Sequence, residues 1–208
     1  MKYCSQLIIL FLCLGCSSFK LTEAQLNPDF SEIQLKKVLV IGVSPLNELR
    51  EQFEFQFVRQ LNAKGIVGLQ SAVQFTGSFK NSTQVENEML AQIDLLRSKG
   101  FDAIIVTLIK DVDEYTSHSG GHVKFDYYLR QFSSYYAMFR SGDYDKNYDD
   151  AYRVYTVETS IYALQSTPEL GLVWSGSYDF VNPDGSHKTM GKFIKTVLKT
   201  LTKEKLID

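Results

Sequence analysis

The chain has 208 residues, 44% of them hydrophobic and 22% charged, and a formal net charge of −2. That size and balance suit one globular domain with a well-buried core. They argue against a nucleic-acid-binding protein, because no basic stripe is present to neutralise phosphates.

The amino terminus differs from the rest. Lys2 supplies a positive charge, and Leu7 to Gly15 is an unbroken apolar run of nine residues. At about 1.5 Å rise per residue such a run covers roughly 14 Å, under half of a bilayer core of about 30 Å. It has the size of the apolar region of a signal peptide, not of a membrane span. Leu14-Gly15-Cys16-Ser17-Ser18 follows. These residues resemble the lipobox of bacterial lipoproteins, in which a cysteine is acylated and becomes the first residue of the mature chain. Three positions before that cysteine the lipobox usually has Leu, and Cys13 stands there instead.

The cysteines fit this resemblance. They fall at 4, 13 and 16 and nowhere beyond. Cleavage before Cys16 discards the first two, and a covalent lipid (palmitate among its acyl chains) occupies the third. That lipid is the only cofactor expected. The mature domain then has no thiol for a disulfide, a metal or nucleophilic catalysis. The alternative is an ordinary secretory signal cut elsewhere, leaving Cys16 free. Loss of residues 1–15 removes Lys2 and takes the formal charge from −2 to −3. Ser17 after the cysteine is permissive, by the enterobacterial rule, for sorting to the outer membrane. The expected location is the cell envelope, lipid-anchored to a bacterial membrane and facing the periplasm.

Residues 16–35, polar and with Asn27-Pro28 inside, read as a tether between the lipid and a single α/β domain over 36–208. Val38 to Val43 is a short apolar run, as for a strand buried on both faces. Ser44-Pro45 offers an N-cap followed by a proline at the first helical position. Leu46, Leu49, Phe53, Phe57 and Leu61 then recur at helical spacing up to Gly65. Ile66 to Phe75 is a second strand candidate, followed by a loop at Gly77-Ser78. Thr83 and Glu86 have capping-box spacing. Val85, Met89, Ile93 and Leu96 form the stripe of that helix, and Gly100 ends it. Phe101 to Ile109 is the third strand.

The order β-α-β-α-β predicts a parallel sheet. Tyr152 to Leu164 and Leu172 to Val181 alternate apolar with polar and predict an antiparallel hairpin. Met190, Phe193, Ile194, Val197, Leu198 and Leu201 predict a closing amphipathic helix. Lys188, Lys192, Lys195, Lys199, Lys203 and Lys205 fit its solvated face and carboxyl-terminal end. The fold class is therefore α/β, a mixed sheet in two or three layers.

Four pieces, V-L-V-I-G-V-S-P, F-D-A-I-I-V-T-L, Y-T-V-E-T-S-I-Y and L-V-W-S-G-S, resemble a group of uncharacterised envelope lipoproteins. These are related in fold to the amino-terminal domain of TolB and to lipoprotein activators of peptidoglycan synthases. The resemblance covers about residues 36–206 and implies a small mixed-sheet domain that binds other envelope proteins. It carries over no catalytic residue.

The most distinctive stretch is 111–150. It holds seven of the twelve tyrosines: Tyr115, Tyr127, Tyr128, Tyr135, Tyr136, Tyr144 and Tyr148, with Phe125, Phe132 and Phe139. A long connection of this kind in a compact domain is uncommon and often functional. Tyrosine-rich surfaces suit recognition, since a rigid amphipathic ring buries area at small entropic loss. The other reading is that these aromatics lengthen the flanking strands into an arm that packs on itself.

Within it, Asp143, Asp145, Asn147 and Asp149, with Asp150, place oxygens at alternate residues, as a calcium loop needs. The EF-hand glycine and glutamate positions hold Tyr148 and Val154 instead, so a solvated acidic loop is the simpler reading. His118 and His122, with Asp126, have zinc-like spacing on a helix, which Gly120-Gly121 opposes. His187 reads as an exposed turn residue and Trp174 as a buried strand residue. Ser44 lacks the second glycine of a nucleophile elbow. Glu158 has no evident acid–base partner, and no phosphate loop is present.

The function expected is therefore non-catalytic: an envelope lipoprotein that binds a protein partner or cell-wall component. The alternatives are a structural subunit of a homo-oligomeric or multiprotein envelope assembly, or a carboxylate-dependent envelope hydrolase.

Overall fold

The computed structural model describes residues 19–30, 32–44, 46–74, 91–114, 153–164, 171–181 and 187–208. Its centre is a six-stranded mixed sheet in the order β1-β6-β5-β4-β2-β3. In chain order the strands are β1 (Phe19–Leu26), β2 (Lys37–Val43), β3 (Val67–Gln70), β4 (Ala103–Glu114), β5 (Arg153–Ala163) and β6 (Gly171–Val181). The helices are α1 (Asn47–Asn62), a single turn α2 (Ser71–Gln74), α3 over residues 91–98 and α4 (His187–Lys203). β2, β3 and β4 run parallel, and β4, β5, β6 and β1 pair antiparallel in turn.

The all-apolar run of β2 is explained by helices on both faces of the sheet. Val38 and Val40 point into a core shared with Phe57, Val58 and Leu61 of α1 and the apolar stripe of α4. Leu39 and Ile41 point the other way, to Ile93 and Leu96 of α3. This gives three layers. The lysines at 188, 192, 195, 199 and 203 lie exposed along α4, as its pattern predicts.

α1 and α3 end in the same way. Gly65 (φ 80°) and Gly100 (φ 72°) take the left-handed conformation that only glycine adopts without strain. The next residue, Ile66 or Phe101, donates its N–H to a carbonyl five residues back, Leu61 or Leu96, and buries its side chain. Each helix thus closes and enters the following strand through one hydrophobic latch.

Four boundaries differ from the sequence reading. Phe19–Leu26, inside the stretch read as a tether, is the sheet's edge strand β1. It is paired with β6 from Phe19↔Phe180 to Leu26↔Trp174. Its one buried side chain is an aromatic: Phe19 is 5% exposed, with its ring 4.5 Å from Phe180 and 6.1 Å from Phe193. Its other side chains are mostly exposed, which is why it reads as linker.

α1 starts at Asn47, not at Ser44-Pro45, because the Ser44 hydroxyl accepts the Leu46 N–H (3.1 Å) and makes a turn ahead of the helix. β3 is shorter than the run Ile66 to Phe75: Ser71 starts a helical turn and donates its hydroxyl to the buried Glu54 carboxylate. β4 continues past Ile109 to Glu114, so 111–114 belong to the strand and not to the connection after it. Thr83, Glu86, Val85 and Met89 lie outside the described residues.

Candidate functional site

β4 outruns its parallel neighbour. Its last pair with β2 is Val43↔Leu108, whereas its pairing with β5 continues to Glu114↔Arg153. The six further residues extend the sheet by about 20 Å. This extension has β5, β6 and β1 as its neighbours: Val112 is level with Tyr155, Tyr155 with Phe180, and Phe180 with Phe19. Tyr155 and Val157 pack on the core beneath α4. The Thr156 hydroxyl donates to Asp179 (3.1 Å) across the β5–β6 pair. Glu114 and Arg153, the last described residues on either side of 115–152, are therefore partners on adjacent hydrogen-bonded strands at one end of the sheet.

The residues singled out from sequence for recognition, Tyr115, Tyr127, Tyr128, Tyr135, Tyr136, Tyr144 and Tyr148, lie outside the described residues. So do Asp143, Asp145, Asn147, Asp149, His118, His122 and the lipidation candidate Cys16. Among the described residues, no group of three or more His, Cys, Asp or Glu side chains could hold a metal.

The β5–β6 hairpin carries a second feature. On the face away from α1 and α4, Thr156 pairs with Asp179, Glu158 with Ser177 and Ser160 with Ser175. Glu158 is fully buried, and Ser160, Ser175 and Ser177 are 2%, 1% and 6% exposed. The Ser160 hydroxyl donates to Glu158 (3.1 Å), and the Thr22 hydroxyl of β1 donates to the Ser177 carbonyl (3.0 Å). Alternating polar residues on a strand normally signal a solvated face; here the alternation marks a buried one. The one histidine among the described residues, His187, is exposed at the start of α4, on the other side of the sheet. Its Nδ1 lies 3.0 Å from Gln56 Nε2. The described residues thus do not bring an imidazole to Glu158 or to these serines.

Sequence reasoning missed a buried carboxylate in α1. Glu54, fully buried, accepts the Gly42 N–H (3.0 Å) and the Ser71 hydroxyl, tying β2, α1 and α2 together. Gly42 is needed for this approach, since a Cβ there would stand 2.9 Å from Phe53 Cδ1. The available signal was Glu54 itself, three residues before Phe57 and seven before Leu61, inside the buried stripe. Arg50, one turn earlier, has a buried Nε with no hydrogen-bond partner among the described residues. Trp174 is fully buried, as its strand position predicts.

No protein-family model matches the chain, and no curated protein matches it. Solved structures do. A PelC dodecamer from Paraburkholderia phytofirmans aligns with a TM-score of 0.45 at 12% identity, over 88% of this chain and 96% of that one. A second PelC dodecamer crystal form, of a point variant, gives 0.44 at 11% over 88% and 97%. Lipoprotein GNA1162 from Neisseria meningitidis gives 0.41 at 11%, over 81% of this chain and 99% of that one. Scores of this size carry no inference about activity or assembly. No structure of TolB or of a peptidoglycan-synthase activator is among these three.

Proposed function

We propose that this protein is a lipid-anchored envelope protein that captures a protein partner or cell-wall component without turning it over. The observation that carries the proposal is the β4–β5 extension. Glu114 and Arg153 end on adjacent hydrogen-bonded strands beyond the last β2 pair, and the tyrosine-rich stretch joins these two residues in sequence. Anchoring rests on Leu14-Gly15-Cys16-Ser17, with the acyl chains at Cys16 as the only prosthetic group and the periplasmic face of the outer membrane as the location. Two or three acyl chains suffice for stable attachment where one binds only marginally.

The test is cross-linking in whole cells with the lipidated protein and with a version in which a short Gly/Ser turn replaces 115–150. The expected result is an unchanged fold and loss of the specific envelope partners. Undiminished capture by the shortened protein would remove the segment from the binding surface.

A further inference from the structure

The stretch between the anchor and the fold is much shorter than the sequence implies. Read as a coil, residues 16–35 would have a root-mean-square reach of roughly 25 Å and leave the domain free to tumble above the bilayer. In the structure Phe19 is already fixed: its side chain is 5% exposed, it pairs with Phe180, and its ring packs on Phe180 and Phe193. Only Ser17 and Ser18 separate it from Cys16. Three Cα–Cα steps span at most about 11 Å. The headgroup layer on each side of a bilayer is itself about 5–8 Å deep.

We infer that the sheet end bearing Phe19 rests directly on the lipid headgroups, held there by the two-residue link. This rests on acylation of Cys16, and it adds an orientation to the anchor. Lys20, in β1, and Lys188, at the start of α4, are exposed at this end and present ammonium groups to lipid phosphates. The opposite end of the molecule is fixed as well. The Leu35 N–H donates to the Leu206 carbonyl (2.9 Å), so the carboxyl-terminal end of α4 sits beside the start of β2, away from Phe19. Lys188 and Lys203 are separated along α4 by about 22 Å. Glu114 and Arg153 lie at the Phe19 end, since Val112 and Tyr155 are level with it. The two strand ends that flank the proposed binding segment are therefore at the membrane surface.

The experiment uses the full lipidated protein in phosphatidylcholine–phosphatidylglycerol vesicles containing a headgroup-nitroxide lipid. Single cysteines at Lys20→Cys, Lys188→Cys and Lys203→Cys carry a fluorophore; the mature chain has no other thiol once Cys16 is acylated. Quenching is expected to be several-fold stronger at 20 and 188 than at 203. A twenty-residue Gly/Ser spacer after Ser18 should equalise the three. Equal quenching without the spacer, stronger quenching at 203, or a pattern the spacer leaves unchanged overturns the inference. Uptake of label by the protein with no introduced cysteine is a separate outcome: it exposes a free Cys16 thiol, or Cys4 and Cys13 of an uncut chain, and in either case overturns the anchor, and the orientation with it.

Discussion

Along β6, alternate residues enter two different interiors. Trp174, Gly176, Tyr178 and Phe180 face α4, where Phe193 stands 5.3 Å from Tyr178 and 5.1 Å from Phe180. Ser175, Ser177 and Asp179 face the other way, against Ser160, Glu158 and Thr156. The first interior is held by aromatic area and close fit, with two polar atoms, Trp174 Nε1 and the Tyr178 hydroxyl, left without hydrogen bonds among the described residues. The second is buried almost as completely but is polar, with hydroxyls meeting carboxylate and carbonyl oxygens. Burial therefore does not by itself select apolar residues. An apolar face draws its stability from area, whereas a polar one has to recover in hydrogen bonds what it loses in hydration.

The difference can be measured by substituting neighbours on one strand. Trp174→Ala should lose about 3–5 kcal/mol in urea unfolding, while Ser175→Ala, the next residue on the opposite face, should lose under about 1 kcal/mol. Similar losses would break the comparison.

Tyr178 gives the next largest effect. Burial pushes its hydroxyl up to about 12 from the ordinary 10, and nearby Thr200 pulls it down slightly without making a well-formed hydrogen bond. The raised value means the fold favours the neutral phenol. That contribution is complete below pH 10 and is lost as the pH rises towards 12. Two units correspond to about 2–3 kcal/mol. Tyr178→Phe should unfold normally at pH 7 and lose about that much less than the parent between pH 10 and 12. Identical alkaline losses in the two proteins would count against a buried neutral phenol.

Gly176→Ala tests the fit. A Cβ there would lie 2.4 and 2.7 Å from the Trp174 ring, which has no room to retreat, so about 1–3 kcal/mol should be lost. Ser160 is the second probe of the polar face, after Ser175. Ser160→Ala removes a donor from the buried Glu158 carboxylate and should lose about 1–3 kcal/mol, the lower half of that range being expected while other contacts to Glu158 persist. A neutral result at Ser160 would count against hydrogen bonding as what stabilises the polar face.

Much of this architecture was legible in the sequence. β2, β4, the β5–β6 hairpin and α4 follow from apolar runs, alternation and helical spacing, because each buries a face that its pattern reports. β1 was not legible: it is an edge strand whose one buried side chain is Phe19, and exposed Lys20, Leu21, Thr22, Glu23 and Ala24 look like linker. The early end of β3 was hidden because it depends on Glu54 and Ser71 meeting across elements, which no local pattern encodes. The same holds for the polar β5–β6 face: Glu158 and the serines alternate as a solvated strand would, and only the assembled sheet makes them interior. The tyrosines of 115–150 were legible as composition, and the described strands fix only the two residues that flank them, Glu114 and Arg153.

Acylation of Cys16, as proposed, carries both the location and the orientation, and mass spectrometry of protein extracted from membranes tests it most directly. The account predicts a mature chain that begins at Cys16 with acyl groups attached, and a Cys16→Ala precursor that stays uncut and takes up no labelled palmitate. A mature chain that begins at another residue, or that carries Cys16 as a free thiol, would contradict it.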